Sequence, residues 1–349
     1  MATNITETVP TGAIRYNTDS NKMECFDGTK WWQVAVSSPD LGKATNSPDS
    51  AGGGRAIIAS GTTQSTDGNG HKIRYVNIKT AGDGIDFGDM NNFYSYLAGS
   101  SSSTRGIMAG GQVPGTTYVD VIQYVTIAST GNPIDFGDLT VGTWGVNAVS
   151  NQTRSVIGGG KVSPGAEVNT IEYITMASLG DAKDFGDLTL IRNNAGSLGN
   201  ATRGLWAGGY DSPNEYNTID YVTIASTGNA QDFGDLSAAI DGQQHQNTGS
   251  STRGIIWSTA FSPYVDIESI QYATKGNSVD FGDSSQAIGY RSCTSDCVRG
   301  VGFGGQSGPG QRNCIEYLMI ATQGNAVDFG DTAEKHERGA AFSNAHGGL

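Results

Sequence analysis

The tetrapeptide Asp-Phe-Gly-Asp occurs six times, at 86–89, 135–138, 184–187, 232–235, 280–283 and 328–331. The spacings from phenylalanine to phenylalanine are 49, 49, 48, 48 and 48 residues. A fixed period of this length marks an array of supersecondary units, each too small to bury its apolar face alone. From about Arg55 to the C-terminus the chain therefore reads as six copies of one unit.

The second copy shows what the unit is. Thr104 to Ala109 is a short apolar strand closed by Gly110-Gly111, and a variable loop follows. Val121 to Ile127 carries the β-branched and aromatic residues of a strand, and Ala128 to Asn132 is a turn. Ile134 to Leu139 is a third strand that holds the tetrapeptide, and Val146 to Val149 is a fourth apolar segment. Four short strands and no helical period make the chain all-β and the unit a propeller blade. The expected fold is a six-bladed β-propeller over 53–349, with blades near 53–103, 104–152, 153–201, 202–251, 252–297 and 298–349. The last copy ends at Phe342-Ser343-Asn344, where earlier copies cross into the next strand. If that crossing is a hairpin within one blade, the C-terminal strand pairs beside Arg55 and closes the ring, leaving no free edge.

Other residues recur with the motif. An arginine opens each copy (Arg55, Arg105, Arg154, Arg203, Arg253, Arg299), and a tyrosine follows in the second strand (Tyr75, Tyr124, Tyr173, Tyr221, Tyr272, Tyr317). Every copy must solve the same packing problem against its neighbour, so these residues are read as structural. The arginines, Arg105, Arg154 and Arg203 among them, are expected to reach a motif aspartate such as Asp135 or Asp138, or a carbonyl of the adjacent blade. Phe136, Phe185 and Phe233 are expected between blades, with the following glycine allowing a tight bend.

The double glycine before a loop, followed by a strand with a fixed tyrosine, resembles the kelch repeat. The pairs Gly110-Gly111, Gly159-Gly160, Gly208-Gly209 and Gly304-Gly305 carry the likeness, with Tyr124, Tyr173, Tyr221 and Tyr317. Ser60-Gly61 and Ser258-Thr259 replace the glycines in copies one and five. The tryptophan that kelch blades carry later in the repeat is missing, and the motif phenylalanine is expected in its place. The resemblance implies a propeller and, as an alternative function, a kelch-type protein-interaction module of cellular origin.

Ahead of the repeats, residues 1–10 read as an arm. Three short strands follow near 13–17, 22–27 and 30–36, turning at Thr18 to Asn21 and at Asp27-Gly28. So small a module (1–36) cannot bury both Trp31 and Trp32, so Tyr16, Phe26, Trp31 and Trp32 are expected to serve assembly or docking. Residues 37–52 form a Ser/Pro/Asp linker.

The net charge of −13, with no basic cluster, argues against nucleic acid as a partner. No stretch is apolar enough for a membrane span, and the N-terminus lacks the features of a secretory signal. Cys25, Cys293, Cys297 and Cys314 are too few for a disulfide framework, and packed thiols are expected rather than zinc. Six paired aspartates admit two readings: turns closed on their own backbone, or a calcium-binding ring. No other cofactor is expected. An enzyme would carry a unique acid, base or nucleophile. The candidates His71, His245, His336, Glu172, Glu268 and Glu316 form no recognised constellation and read as solvated strand residues. No catalytic residue is assigned.

The informative variation lies in the loops after the double glycine, which a propeller gathers on one face. They carry Tyr118, Tyr210, Tyr216, Phe261 and Tyr264. These aromatics either recognise a sugar or protein, or pack over the blade edge. Copy five, with Trp257 and no glycine pair, is expected to offer a docking contact.

The segment Gly12-Ala13-Ile14-Arg15-Tyr16-Asn17-Thr18-Asp19 through Phe26-Asp27-Gly28-Thr29-Lys30-Trp31 resembles a module of tailed-bacteriophage virion proteins, tail-fibre and other appendage proteins above all. The repeats with Tyr-Val-Thr-Ile-Ala-Ser-Thr-Gly-Asn are similar to those of such structural proteins. The resemblance implies a non-enzymatic virion component, assembled in the host cytoplasm. Its module would dock to other virion proteins or self-assemble, and its propeller would bind a host-surface glycan or another virion protein. A propeller-fold glycan-active enzyme is the further alternative.

Overall fold

The computed structural model describes residues 10–17, 22–33, 54–59, 61, 71–115, 117–240, 248–257, 265–307 and 310–349. Residues 1–9 of the arm, the turn Thr18 to Asn21, residues 34–36 of the expected third strand, the linker 37–52, Ser60, His245, Ser258-Thr259, Phe261 and Tyr264 lie outside them. Among the described residues every regular element is a β-strand. The chain divides into two compact units, Met1–Ser47 and Pro48–Leu349.

The first unit is an antiparallel sheet of Ile14–Asn17, Lys22–Phe26 and Trp31–Gln33. Asp27 shapes its second turn: Oδ1 accepts hydrogen bonds from the amides of Thr29 and Lys30 and from the Thr29 hydroxyl. Trp32 Nε1 donates to Oδ2. The Thr29 hydroxyl and these other donors hold the Asp27 carboxyl well below the usual carboxylate range. Neighbouring strand residues face opposite ways. Trp31 accordingly packs on Phe26 and lies under the Arg15 guanidinium, 4.1 Å from the ring centroid, whereas Trp32 is 54 % exposed.

In the second unit each repeat contributes to an antiparallel sheet, numbered I to VI here. Sheet II is typical, with the order Ile134–Asp138, Val121–Thr126, Arg105–Ala109, Ala98–Ser101. Its innermost strand, Ala98–Ser101, ends the preceding sequence repeat, so sheets and sequence repeats are out of phase by one strand. Sheets III, IV and VI are built the same way; among the described residues sheet V shows Arg253–Ile256, Asp266–Gln271 and Val279–Asp283, with Gly249 bridging to Gly254 beside them. Sheet I takes its innermost strand from the C-terminus: Ala340–Ser343 pairs with Arg55–Ala59, Phe342 opposite Ile57.

The recurring residues join each sheet to the next. Each opening arginine donates from Nη1 to a carbonyl one sheet further on: Arg55 to Ile127, Arg105 to Met176, Arg154 to Ile224, Arg203 to Tyr272, Arg253 to Ile320. Arg299 of sheet VI donates to Ile78 of sheet I, so the sequence of contacts is cyclic. Outside sheet V the guanidinium lies over the tyrosine of its own sheet, as Arg105 over Tyr124 at 4.8 Å, and the tyrosine meets the motif phenylalanine edge-on; in sheet V Arg253 lies over Phe281 instead.

The tetrapeptide is the second clasp. Its phenylalanine is the extra residue of a β-bulge: Gly137 pairs with Ile122 and Asp135 with Gln123, leaving Phe136 to enter the core against Ile174 and Met176 of sheet III. The Phe136 carbonyl accepts from the Gly180 amide of the next sheet's turn, and Asp181 Oδ1 accepts from the Asp138 amide. Gly137, at φ 150°, is required there, because a Cβ would stand 2.5 Å from the Gly180 carbonyl. The pattern recurs around the cycle and closes from Phe329 of sheet VI to Gly82.

The motif aspartates lie on the edge strand of each sheet, and among the described residues no three acidic, histidine or cysteine groups are arranged to hold a metal ion. The structure corrects three expectations. Tyr272 is not the repeat tyrosine of copy five: Ile255 pairs with Ser269 as Leu205 pairs with Tyr221, so Ser269 holds that place and Tyr272 is core. Glu172, Glu268 and Glu316 are not solvated. They are buried with Asp220 at the seams between sheets. There they accept the backbone amides of Thr140, Ser237, Ser285 and, for Asp220, Thr189. His336 is fully buried, not solvated; burial pushes its imidazole down to about 4.

Candidate binding site at the loop end

The residue nine positions after each motif phenylalanine opens an innermost strand. These residues are Tyr96, Gly145, Asn194, Tyr290 and Arg338; Gly242, the sixth, lies outside the described residues. All five have left-handed backbone, with φ of 61°, 67°, 55°, 54° and 59° in that order. Their backbones form one run of hydrogen bonds across successive sheets: Arg338 N to Tyr290 O, Tyr96 N to Arg338 O, Gly145 N to Tyr96 O and Asn194 N to Gly145 O.

This backbone suits glycine, and a side chain in it costs about 1–2 kcal/mol. Only Gly145 meets that preference; asparagine tolerates it, but two tyrosines and an arginine do not. The Arg338 guanidinium recovers part of the cost by lying over both rings, 4.9 Å from the centroid of Tyr96 and 4.4 Å from that of Tyr290. Arg338 Nη1 also pairs with Glu337 Oε1 at 2.8 Å. Tyr96 meets Trp144 edge-on at 4.4 Å, and Trp144 meets Tyr118 at 5.8 Å.

The variable loops converge on the same end. Their hairpins bridge to the residues beside the left-handed run, Gln112 to Ser95, Tyr210 to Asn193, Gln306 to Gly289, and Lys161 to Trp144. Lys161 bonds Glu167 at 2.8 Å and lies within electrostatic reach of Tyr118 and Tyr210. The result is a row of half-buried side chains running Tyr290, Arg338, Tyr96, Trp144, Tyr118. Several buried polar atoms along it lack a hydrogen-bond partner: Trp144 Nε1, Asn193 Oδ1, Asn194 Oδ1 and Arg338 Nε. Asn194 is 5 % exposed. An unmet buried group of this kind costs about 1–3 kcal/mol.

The opposite end is filled by the chain itself. Where the last residue of an innermost strand is serine, its hydroxyl donates to the equivalent carbonyl of the preceding sheet: Ser101 to Ser343, Ser150 to Ser101, Ser295 to Gly249, Ser343 to Ser295. His346 is buried against them, Nε2 lying 3.0 Å from the Ser101 carbonyl and Nδ1 accepting the Gly348 amide.

Of the aromatics singled out in the sequence, Tyr118 belongs to the row, and Tyr210 and Tyr216 are half-buried on the hairpin of sheet IV. Trp257 is corrected. It continues the buried strand Arg253–Ile256 and packs beside Ile255, Ile267 and Phe281, with Arg291 over its ring. It offers no exposed docking surface. Sequence reading missed Tyr96, Trp144, Asn194, Tyr290 and Arg338. The available signal was the constant nine-residue offset at which the residue type changes from copy to copy.

No protein-family model matches this chain, and no curated protein matches it.

Proposed function

We propose that residues 54–349 form a six-bladed β-propeller that serves, without catalysis, as the recognition part of a tailed-bacteriophage virion appendage. The three-stranded N-terminal module attaches it to the particle. The cyclic order of the arginine and tetrapeptide clasps, closing from sheet VI to sheet I, supports the propeller.

One observation carries the recognition reading. Positions that join the sheets repeat the same residue, whereas equivalent positions at the loop end are Tyr96, Gly145, Asn194, Tyr290 and Arg338. Pure packing would favour one solution in every copy. A surface that departs from it at a cost in backbone strain is one where side chains are kept for what they contact. The virion part rests on the likeness of residues 12–31 to appendage modules, and the exposed Trp32 supplies an apolar contact for attachment.

The test is antibody labelling of tailed particles released from the bacterium in which this chain is made, followed by electron microscopy. Label on a tail or head appendage is expected. Unlabelled particles, with the chain left in the soluble lysate, would refute the proposal.

A further inference from the structure

At four seams between sheets, a polar residue of the second strand meets a partner from the segment that follows the preceding motif. Gln123 bonds Tyr94, Asp220 pairs with Arg192, Glu316 with Arg291, and Arg74 with Glu334. Glu172, at the seam of sheets II and III, is 7 % exposed. Among the described residues its carboxylate accepts one hydrogen bond, from the Thr140 amide at 3.1 Å, and joins no ion pair. It lines a cavity of about 60 Å³ instead.

The position that Arg192 holds at the next seam is Thr143 here. Each lies seven residues after a motif phenylalanine, and each carbonyl accepts the amide of the second glycine of a pair, Gly160 for Arg192 and Gly111 for Thr143. The Arg192 guanidinium donates to the carbonyls of Gly208 and Thr218 and to Asp220 Oδ2, at 2.7, 2.8 and 2.9 Å. Strand register makes Gly159, Thr170 and Glu172 the counterparts of these three, since Ile157 pairs with Glu172 as Trp206 pairs with Asp220. All three line the cavity, and so does Thr143. We infer that this cavity is a binding site for a guanidinium group, which takes at the seam of sheets II and III the place that the Arg192 guanidinium fills at the next.

Size, chemistry and access agree. A water molecule needs about 10–15 Å³ of such space, so the cavity admits on the order of four atoms of that size, and guanidinium has four heavy atoms. Its planar fork reaches a carboxylate and two carbonyls together, which a compact ammonium ion does not match. A divalent metal ion would take more carboxylates than the one present. The net charge of −13 favours the approach of a cation. Thr140 and Val141, both exposed, line the cavity as well, so it opens to solvent beside them. The group arrives as a free ion or as the arginine side chain of a partner, and the probes separate these two sources.

The test follows thermal melting of the full chain, of Glu172→Gln and of Thr143→Arg. The probes are guanidinium chloride at low, non-denaturing concentration and N-acetyl-arginine amide, with ammonium and sodium chloride at the same ionic strength as controls. Guanidinium is expected to raise the melting temperature of the unaltered chain saturably, and to bind Glu172→Gln on the order of tenfold more weakly. Thr143→Arg, whose own side chain fills the cavity, is expected to lose the response as well. A response to the capped arginine too identifies a partner's side chain as a source; a response to guanidinium alone identifies the free ion. No rise with either probe, an equal rise with ammonium or sodium, or a rise undiminished in Glu172→Gln overturns the inference. Glutamine keeps the size and shape of Glu172, so that variant decides the outcome even where Thr143→Arg does not fold.

Discussion

The C-terminal strand provides the sharpest test of how this chain holds itself together. Phe342, in the last strand, is fully buried and packs with Ile57 of sheet I and Met108 of sheet II. Its ring occupies the space that a side chain at Gly106 of sheet II would enter. Phe342→Ala leaves a cavity and is expected to cost about 3–5 kcal/mol. Gly106→Ala forces a methyl group against an immobile ring, at about 1–3 kcal/mol. Combined, the new methyl occupies space the ring has left, so the double variant is expected to lose less than the two single losses together, by about 1–3 kcal/mol. Denaturant unfolding of the four proteins, with midpoint and slope for each, measures that coupling. Additivity within about 0.5 kcal/mol would show that Phe342 does not sit against Gly106, and the cyclic arrangement would fall with it.

Three further outcomes follow from the clasps and the buried groups. Burial pushes the His346 imidazole down to about 4, against the pull of the Ser101 carbonyl, so the folded chain keeps it neutral. Its contribution is full above the ordinary histidine value and is lost as pH falls through about 4, an effect of about 3 kcal/mol; melting scans from pH 7 to 4 should be less pH-dependent in His346→Gln, and an unchanged slope would refute the assignment. Arg192 and Asp220 form a fully buried ion pair at 2.9 Å, so Arg192→Met alone should cost about 3–5 kcal/mol in urea unfolding, with Arg192→Met/Asp220→Leu recovering only part of it because the Thr189 amide and the carbonyls bonded to Arg192 lose their partners. Gly137→Ala should lower stability by more than about 2 kcal/mol through both backbone strain and collision with the Gly180 turn, and a loss of a few tenths in the same assay would count against the clasp.

Burial also decided which charged residues looked interesting. Glu316 is pushed up by burial, but Arg291 with the hydroxyls of Ser285 and Ser284 outweighs it and holds the carboxyl below its ordinary value. In sequence it was one acid among several on strands. In the fold it closes a seam between sheets V and VI.

The all-β character, the six units and the pairing of the C-terminal strand with Arg55–Ala59 were legible because each depends on local or periodic information. A short strand, a tight turn and a repeat spacing are written in neighbouring residues. The destination of the opening arginine was narrowed to two choices, and only the fold chose the carbonyl of the next sheet over the aspartate. The loop-end row was not legible. Tyr290, Arg338, Tyr96 and Trp144 come from different repeats, and nothing in their local sequence marks them. Tyr272 was misplaced for a related reason: a tyrosine of the right type stood three residues from the position that pairs with Ile255. The repeating unit and the pairing of Ala340–Ser343 with Arg55–Ala59 follow from local and periodic sequence. Only tertiary structure decided which side chains meet, because cyclic packing sets beside one another residues that are about 49 positions apart, or 242 apart as Ser101 and Ser343 are.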